Sequence, residues 1–371
     1  MAEVKNVPKL RFPGFTEPWE QRKLVNVVDS VDTGKSKFDK EGSSGEYPIL
    51  GSTSVIGYDE EYDYEGDFIL TARVGANAGS LYRHAGKVKI SDNTVFIQAS
   101  QNIKFLYQLL IQLDIKKLSF GTGQPLVKAS ELKSLELMMP TDMKEQMRIG
   151  AYFSELDNLI TLHQRKYETL LEYKKGLLQK MFPKAGEAVP EIRFPGFDEE
   201  WEEKKLSDIA SRHDNKRIPI TAQDRVSGNT PYYGANGIQD YVEGFTHDGE
   251  YLLIAEDGAN NIANYPINYI NGKVWVNNHA HVIQGYDFID NYLLMYALKK
   301  VKFIYVLVGG DRSKLTSEEL MKLSITIPKS LEEQQKIGSF FKSLDEKIEL
   351  QKQKVDAIKE YKKGLLQQMF V

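Results

Sequence analysis

Two histidines separated by one residue, His279 and His281, form a cluster with the residue types for metal chemistry. Alternate side chains of a strand share a face, so these imidazoles could together ligate a metal ion or serve a nuclease. The chain has no cysteine to complete a zinc site or to act as a nucleophile. The sequence also contains an internal repeat, in which the corresponding positions are Asn93 and Val95. We therefore expect no metal site.

A second group of residues, polar and basic side chains in predicted loops, has the types that bind DNA. Lysine and arginine grip phosphates, whereas arginine, glutamine and asparagine read base edges. In the first half of the chain the candidates are Lys35, Lys37, Lys40, Arg73, Asn77, Ser80, Tyr82, Arg83 and Gln124. In the second half they are Lys216, Arg217, Arg225, Asn260, Asn261, Asn264, Tyr265, His279, Arg312 and Lys314. Each could instead be a solvated surface residue, and Asn77 and Asn260, which lie near glycines, favour turns.

The motifs of nucleotide-dependent enzymes are missing from the sequence. No segment has the GxxxxGK[ST] order of a phosphate-binding loop, and no GxGxxG follows a predicted strand. Residues 120–123 read FGTG, but their spacing differs from the glycine motif of a methyltransferase, and no Asn-Pro-Pro-Tyr-type tetrapeptide occurs. These absences argue against ATP hydrolysis and against methyl transfer by this chain.

The composition does not favour a simple nucleic-acid binder. The 371 residues carry a net charge of −4, and residues 198–328 hold 13 Lys and Arg against 19 Asp and Glu. DNA affinity would have to come from local clusters or from partner subunits. The basic pairs 174–175 and 362–363 favour a solvated helix face over a DNA contact. With no apolar run of 18 residues and no apolar segment near Met1, we expect a cytoplasmic chain without a membrane span.

The sequence is a duplication. Residues 11–15 and 193–197 both read RFPGF, and residues 172–182 (EYKKGLLQKMF) recur at 360–370 with one change. Outside these segments, the two copies share glycines and apolar positions but differ in most polar residues. Two domains of one fold with different surface chemistry are the simplest explanation.

Segments 142–182 and 330–371 carry apolar residues at alternating spacings of four and three, which is the heptad pattern of a coiled coil. The predicted seam residues are Ile149, Phe153, Leu156, Ile160, Ile337, Phe341, Leu344 and Ile348. We expect two long helices that pack antiparallel. His163 and Gln351 share one polar heptad position, where they either fix the register or face solvent.

Both predicted helices begin with a capping-box pattern. Asp142 precedes Glu145 by three residues, as Ser330 precedes Glu333. In such a box the first side chain caps the helix and the glutamate reaches back to it.

The remaining pattern predicts two similar α+β domains. Strands are expected at 67–72, 87–90 and 94–98, with counterparts at 250–255, 273–276 and 280–284, and each set is followed by a short helix. The fold class is α+β, with a pseudo-two-fold internal repeat. Its predicted parts are residues 1–141, helix 142–182, linker 183–192, residues 193–329 and helix 330–371.

Together, the RFPGF segments with the following Trp, the glycine loops and the EYKKGLLQ.MF helix ends resemble the specificity subunit of type I restriction–modification enzymes. The resemblance covers essentially the whole chain. It implies two target recognition domains, each reading one half of a bipartite DNA site, and helices that set the spacer. It further implies two methyltransferase subunits and two restriction/translocase subunits as partners, which would hold S-adenosylmethionine, ATP and Mg²⁺.

Two other functions stay open from the residues alone. The divergent loops would also suit an adaptor that binds protein or glycan ligands. A nuclease that uses His279 and His281 is the third possibility.

Overall fold

The computed structural model describes residues 6–37, 44–118, 126–309 and 313–371. The chain forms two compact units. Unit 1 consists of Met1–Arg165 and Lys352–Val371, and unit 2 consists of Lys166–Gln351. Because both divisions fall inside long helices, each helix contributes residues to both units.

Unit 1 is built on a six-stranded sheet. Its elements are β1 (Glu20–Lys23), β2 (Ser30–Thr33), β3 (Tyr47–Leu50), β4 (Val55–Asp59), β5 (Tyr64–Ala72), β6 (Leu81–Ile90), β7 (Thr94–Gln98), α1 (Ile103–Gln112), α2 (Ala129–Lys133), β8 (Glu136–Met139) and the first part of α3 (Met143–Lys180). The strand order is β2-β7-β5-β6-β3-β4, and only β3 and β6 run parallel. β1 and β8 form a separate antiparallel pair.

Unit 2 repeats this topology. Its elements are the end of α3, β9 (Glu202–Lys205), α4 (Leu206–Ile209), β10 (Ala210–Arg212), β11 (Ser227–Gly234), β12 (Gly237–Val242), β13 (His247–Ala255), β14 (Ile267–Val276), β15 (Ala280–Gly285), α5 (Asn291–Lys299), α6 (Ser317–Met321), β16 (Ser324–Ile327) and the first part of α7 (Leu331–Met369). The sheet order is β10-β15-β13-β14-β11-β12, position for position that of unit 1. β11 and β14 are again the parallel pair, and β9 pairs with β16. The predicted α+β repeat is confirmed.

Both faces of each sheet are covered, which explains the continuous apolar runs in the central strands. In unit 1, Ile69 and Ile97 belong to the larger core with α1, whereas Phe68, Leu70 and Phe96 form a smaller cluster apart from it. The predicted central strands are present. Their ends are longer than predicted, because β5 and β6 continue into partly exposed residues that pair as a hairpin.

The repeated helix ends anchor each unit. Phe370, 4% exposed, lies 5.6 Å from the Phe105 ring and 6.0 Å from the Trp19 ring in unit 1. In unit 2, Phe182 lies 5.7 Å from the Trp201 ring. Burying one such side chain contributes about 1.5–3 kcal/mol, which gives the EYKKGLLQ.MF repeat a structural role in both copies.

Within each unit the two long helices run antiparallel and are joined by an ion pair. In unit 1, Lys362 on α7 binds Asp157 on α3 at 2.6 Å, and in unit 2, Lys174 on α3 binds Asp345 on α7 at 2.5 Å. The sequence left two interpretations of these lysines, a solvated helix face or a DNA contact, and neither describes their position. They connect the helices, because their carboxylate partners lie on the neighbouring helix.

The predicted seam residues are buried, except Ile160, which is half-buried. In the first part of each helix they pack against the globular domain as well as the other helix, since Phe153 belongs to one cluster with Phe105 and Phe370. Gly150 permits this approach, because a Cβ there would lie 2.6 Å from the backbone nitrogen of Phe105. Gln351 is only 4% exposed, so it does not face solvent.

Among the described residues, no helix combines the length and the apolar character that crossing a bilayer requires.

Candidate nucleic-acid interface

An arginine–glutamate pair fixes the RFPGF segment of each copy to the start of the adjacent long helix. Arg11 donates to both carboxylate oxygens of Glu145 at 2.7 and 2.8 Å, and Arg193 does the same to Glu333 at 2.6 and 2.8 Å. Both glutamates are 1% exposed, and this hydrogen bond raises the pKa of each arginine. Such bidentate pairs are geometrically specific, so they hold each domain to its helix.

The predicted capping boxes are half wrong. The cap side chains do accept from the helix N-terminus, as the Lys144 N–H donates to Asp142 at 2.8 Å and the Glu333 N–H to Ser330 at 3.4 Å. The glutamates do not reach back, because the arginines take their carboxylates. The local sequence favoured a capping box, but each glutamate carboxylate instead binds an arginine that is more than 130 residues away in the chain.

In unit 1, three loops meet at one end of the sheet, which we call the loop end (residues 51–54, 73–80 and 91–93). The Arg73 N–H donates to the Asn93 carbonyl at 2.9 Å, and the Ser52 hydroxyl donates to the same oxygen at 3.2 Å. Ser36 lies at the same end, because its N–H donates to the Ile90 carbonyl at 3.0 Å. Its neighbours Lys35 and Lys37 are exposed at this end of the sheet, as are Arg73 and Asn77, and their contact with DNA stays a prediction.

Other unit 1 candidates have structural positions. Asn77 and Ser80 form a turn, since the Ser80 N–H donates to the Asn77 carbonyl at 2.9 Å. The Tyr82 hydroxyl donates to the Gly51 carbonyl, and burial raises its pKa. Arg83 lies within β6, 5.9 Å from the Tyr107 ring centroid and beside α3, away from the loop end, and its role as a reading residue stays a prediction.

In unit 2, the loop end comprises residues 235–236, 256–266, 277–279 and 307–309 with 313–314. Asn260, Asn261 and Asn264 are exposed there, and the Asn261 side chain accepts from the Asn264 N–H at 2.9 Å. Tyr265, which was predicted to contact DNA, occupies a position that does not favour such a contact. Its ring is 5% exposed and stacked 4.1 Å from Phe303, and its hydroxyl donates to the Ala255 carbonyl.

Two predicted cations of unit 2 are used inside the fold. The Arg217 guanidinium donates to Glu256 at 2.6 Å and to the Ala280 carbonyl at 2.8 Å. Arg225 lies 4.3 Å from the Tyr232 ring centroid and 3.3 Å from Asp240. Both side chains are half-buried and make these contacts within unit 2.

The other two described cations are accessible. Lys216 is exposed, and Lys314 is half-exposed while its ammonium binds Glu256 at 2.6 Å. Lys40, Gln124 and Arg312 lie outside the described residues.

A buried polar network that the sequence did not reveal joins Asp214, Glu256 and His281. The His281 Nδ1 lies 2.7 Å from Asp214, and its Nε2 lies 2.8 Å from the Leu315 carbonyl oxygen. Burial opposes ionisation of Asp214, but hydrogen bonds from His281 and the Val282 N–H outweigh it and lower the pKa. For Glu256, hydrogen bonds from Lys314 and Arg217 likewise outweigh burial and lower the pKa.

This network argues against metal or nuclease chemistry by the histidine pair. The ligand atoms of Asp214, Glu256 and His281 lie within 4.8 Å of one another. Both His281 nitrogens, however, face oxygens that accept hydrogen bonds, so neither directs a lone pair at a metal ion. Glu256 is already held by two cations. His281 is 1% exposed and cannot work together with the exposed His279.

A cleft of about 520 Å³ opens at the loop end of unit 2, and the sequence candidates missed most of it. It is lined by Ala235, Asn236, Gln239, Asp257, Gly258, Ala259, Ile262, His279, Leu307 and Ser313. His279 Nδ1 lies 2.5 Å from an Asp257 oxygen. A comparison of the copies could have found Asp257, because β13 and β5 align it with the apolar Val74.

The sequence matches a family model described as "Type I restriction modification DNA specificity domain" twice, at residues 16–172 and 198–360. Over 133 residues it is 48% identical to a putative type I restriction enzyme specificity subunit of Haemophilus influenzae, covering 36% of this chain and about a third (34%) of that relative. The MjaVIII specificity subunit of Methanocaldococcus jannaschii is 25% identical over 98% of this chain and 93% of its own length.

A solved structure has the same fold. The type I restriction–modification S subunit of M. genitalium matches 98% of this chain and 99% of its own length, with a TM-score of 0.78 at 18% identity.

Proposed function

The chain belongs to the type I restriction–modification DNA specificity family, and we propose that each of its units reads one half of a bipartite DNA site. One observation carries the proposal: two units of identical strand order present different side chains at aligned positions of the loop end. Ala72 and Ala255 are equivalent positions in the two units, and they are followed by Arg73 in unit 1 and by Glu256 in unit 2. A shared scaffold with different polar groups is what two different half-sites require.

The charge of the chain indicates that DNA binding depends on partners. Residues 198–328 hold 13 basic against 19 acidic side chains, and both Lys314 at the unit 2 loop end and Arg217 are paired with Glu256. Phosphate neutralisation supplies most of the affinity of DNA-binding proteins. We infer that methyltransferase subunits contribute the missing positive surface.

The repeated helices offer equivalent surfaces for two copies of one partner. Leu162 and Leu350, at matching positions, are 62% and 58% exposed, and Tyr173 and Tyr361 are both 55% exposed. Apolar side chains exposed at the same repeat positions favour a binding surface. We propose two methyltransferase subunits there and two restriction/translocase subunits in the complete complex.

The chain itself is proposed to be non-catalytic. S-adenosylmethionine, ATP and Mg²⁺ would belong to the partner subunits, and the cytoplasm is where this complex would meet DNA. The helices, about 57 Å long at ~1.5 Å per residue for the 38 residues of α3, would set the spacer between half-sites.

Exchanging residues 193–329 for the second domain of another family member tests the proposal. The complex with methyltransferase subunits should then methylate sites in which one half is new and the other unchanged, as mapped by sequencing. The matched control replaces residues 16–139 and should change only the other half. If either exchange altered both halves or neither, the assignment of one half-site to each unit would be wrong.

Steep salt dependence of duplex binding by the same complex separates DNA recognition from the adaptor alternative. Binding that is insensitive to both salt and DNA sequence would favour the adaptor.

A further inference from the structure

The cleft of unit 2 has walls that are fixed to one another before any ligand arrives. The Asn236 amide donates to the Gly258 carbonyl at 2.9 Å and accepts from the Asn260 N–H at 2.9 Å. The Glu256 N–H donates to the His279 carbonyl at 2.9 Å, and the Leu315 N–H donates to the Glu256 carbonyl at 2.7 Å. Rigid walls of this kind hold a recognition group in place at little entropic cost on binding.

The Asn236 amide is held to the wall by these bonds, and two other lining side chains have groups that can bind a ligand. Among the described residues, the His279 Nε2 and the Gln239 side-chain amide have no hydrogen-bond partner, and both residues are exposed. The cleft floor is apolar where Ala235, 7% exposed, lines it. A mixed wall of this composition suits the flat edge of a base better than a phosphate, because no lysine or arginine is among the described lining residues.

Asp257 determines what His279 can do. Of the two neutral tautomers of His279, the Asp257 carboxylate, which only accepts, selects the one with the proton on Nδ1, 2.5 Å away, and the lone pair on Nε2. His279 then accepts from an exocyclic amino group. The Gln239 amide can donate to N7 while His279 accepts from the N6 amino group, and together they match the acceptor and the donor that adenine shows in the major groove. Cytosine has the amino group but lacks the acceptor beside it.

We propose that this cleft reads an adenine in the major groove of the half-site bound by unit 2. Gln239 and His279 are specificity residues, and Asp257 is a positioning residue that acts through His279. The inference rests on the proposed function, because it presumes that unit 2 reads DNA. The aligned positions of unit 1 do not repeat this chemistry, since Val74 replaces Asp257 and Asn93 replaces His279.

The test measures half-site preference with the intact chain bound to its methyltransferase subunits. Duplexes are selected from a library randomised in both half-sites, and the bound fraction is sequenced. Gln239→Ala and His279→Ala should each reduce the preference for adenine at one position of the unit 2 half-site by roughly 5- to 150-fold, since a good base contact discriminates by that much. The unit 1 half-site should not change.

Asp257→Ala should relax the same position, whereas Asp257→Glu, which keeps an acceptor for Nδ1, should restore part of the preference. A merely structural Asp257 would give no rescue and would lower the melting temperature. Lys216→Ala is the contrasting control, because loss of an exposed cation should weaken all sequences equally and reduce the salt dependence.

An unchanged adenine preference in both Gln239→Ala and His279→Ala would overturn the inference, as would equal weakening of all sequences. Gln239 is exposed on β12, so its variant should fold even if a loop variant does not. If the wild-type complex itself showed no bipartite preference, the proposed function would fail first. A bipartite wild type with unaltered variants would remove only the adenine-reading cleft.

Discussion

The two copies differ very little at the arginine–glutamate pairs, which we call the arginine locks (Arg11 with Glu145, Arg193 with Glu333), and differ strongly at the loop ends. Arg11 with Glu145 and Arg193 with Glu333 have almost the same geometry, and each arginine also donates to a backbone carbonyl six residues ahead, Glu17 or Glu199. At the loop ends, Arg73 in unit 1 occupies the position that is equivalent to Glu256 in unit 2. The difference teaches that the scaffold is fixed outside the reading surface, so the surface is free to change.

The same contrast appears at matching positions of the two long helices. Asp157 and Asp345 each bind a lysine of the other long helix, but Asp157 also accepts from Gln108, whereas Asp345 accepts from Tyr292 and Tyr296. The conserved half of the arrangement connects helix to helix. The variable half connects the helix to its own domain, whose core differs between the copies.

The largest effect is expected from the phenylalanine anchors. Phe370→Ala and Phe182→Ala each remove a buried ring and should lower the free energy of unfolding by about 3–5 kcal/mol. Hydrogen exchange resolved by peptide would show loss of protection in unit 1 for the first variant and in unit 2 for the second. Leu162→Ala, at an exposed position, is the control. Equal loss in both units from either variant would contradict two separate anchors.

The arginine locks should behave alike in the two units. Arg11→Met and Arg193→Met leave a glutamate that is 1% exposed without its partner, and such uncompensated buried charges cost about 3–5 kcal/mol. Denaturant unfolding measures the loss. Arg22→Met, which breaks an ion pair between side chains 50% and 56% exposed, should have almost no effect. A large difference between Arg11→Met and Arg193→Met would break the equivalence of the scaffolds.

Sequence alone predicted what depends on local pattern and on repetition. Heptad spacing predicted α3 and α7 to within two residues at each end, and the repeat predicted that the units share a topology. The side chains of the loop ends were harder, because burial is decided by distant packing. Tyr265 lies in a polar loop sequence, yet Phe303, 38 residues later, supplies the ring that buries it.

Electrostatic pairing escaped the sequence for the same reason. Arg217 lies in a loop sequence, but its carboxylate partner Glu256 comes from the loop that follows β13. The sequence shows only that the position equivalent to Glu256 is Arg73 in unit 1.

That network makes unit 2 the more acid-sensitive unit. Asp214 and Glu256 have pKa values below their ordinary values in the folded state, so they stabilise unit 2 above the unfolded-state values of roughly 4, and this stabilisation is lost as the pH falls further. Hydrogen exchange between pH 5 and pH 3 should show β13 and β15 losing protection before β5 and β7. Glu256→Gln should reduce the difference. Simultaneous loss in both units would exclude the network as its cause.

The smallest effect tests the reassignment of Tyr265. Tyr265→Phe keeps the ring stacked on Phe303 and removes only the hydrogen bond to the Ala255 carbonyl, so the free energy of unfolding should fall by about 0.5–1.5 kcal/mol. The recognised DNA sequence should stay the same, because no part of this side chain reaches the surface used for reading. A changed half-site with unchanged stability would return Tyr265 to the DNA interface and would make the loop ends, rather than the core beneath them, the place where the tyrosine acts.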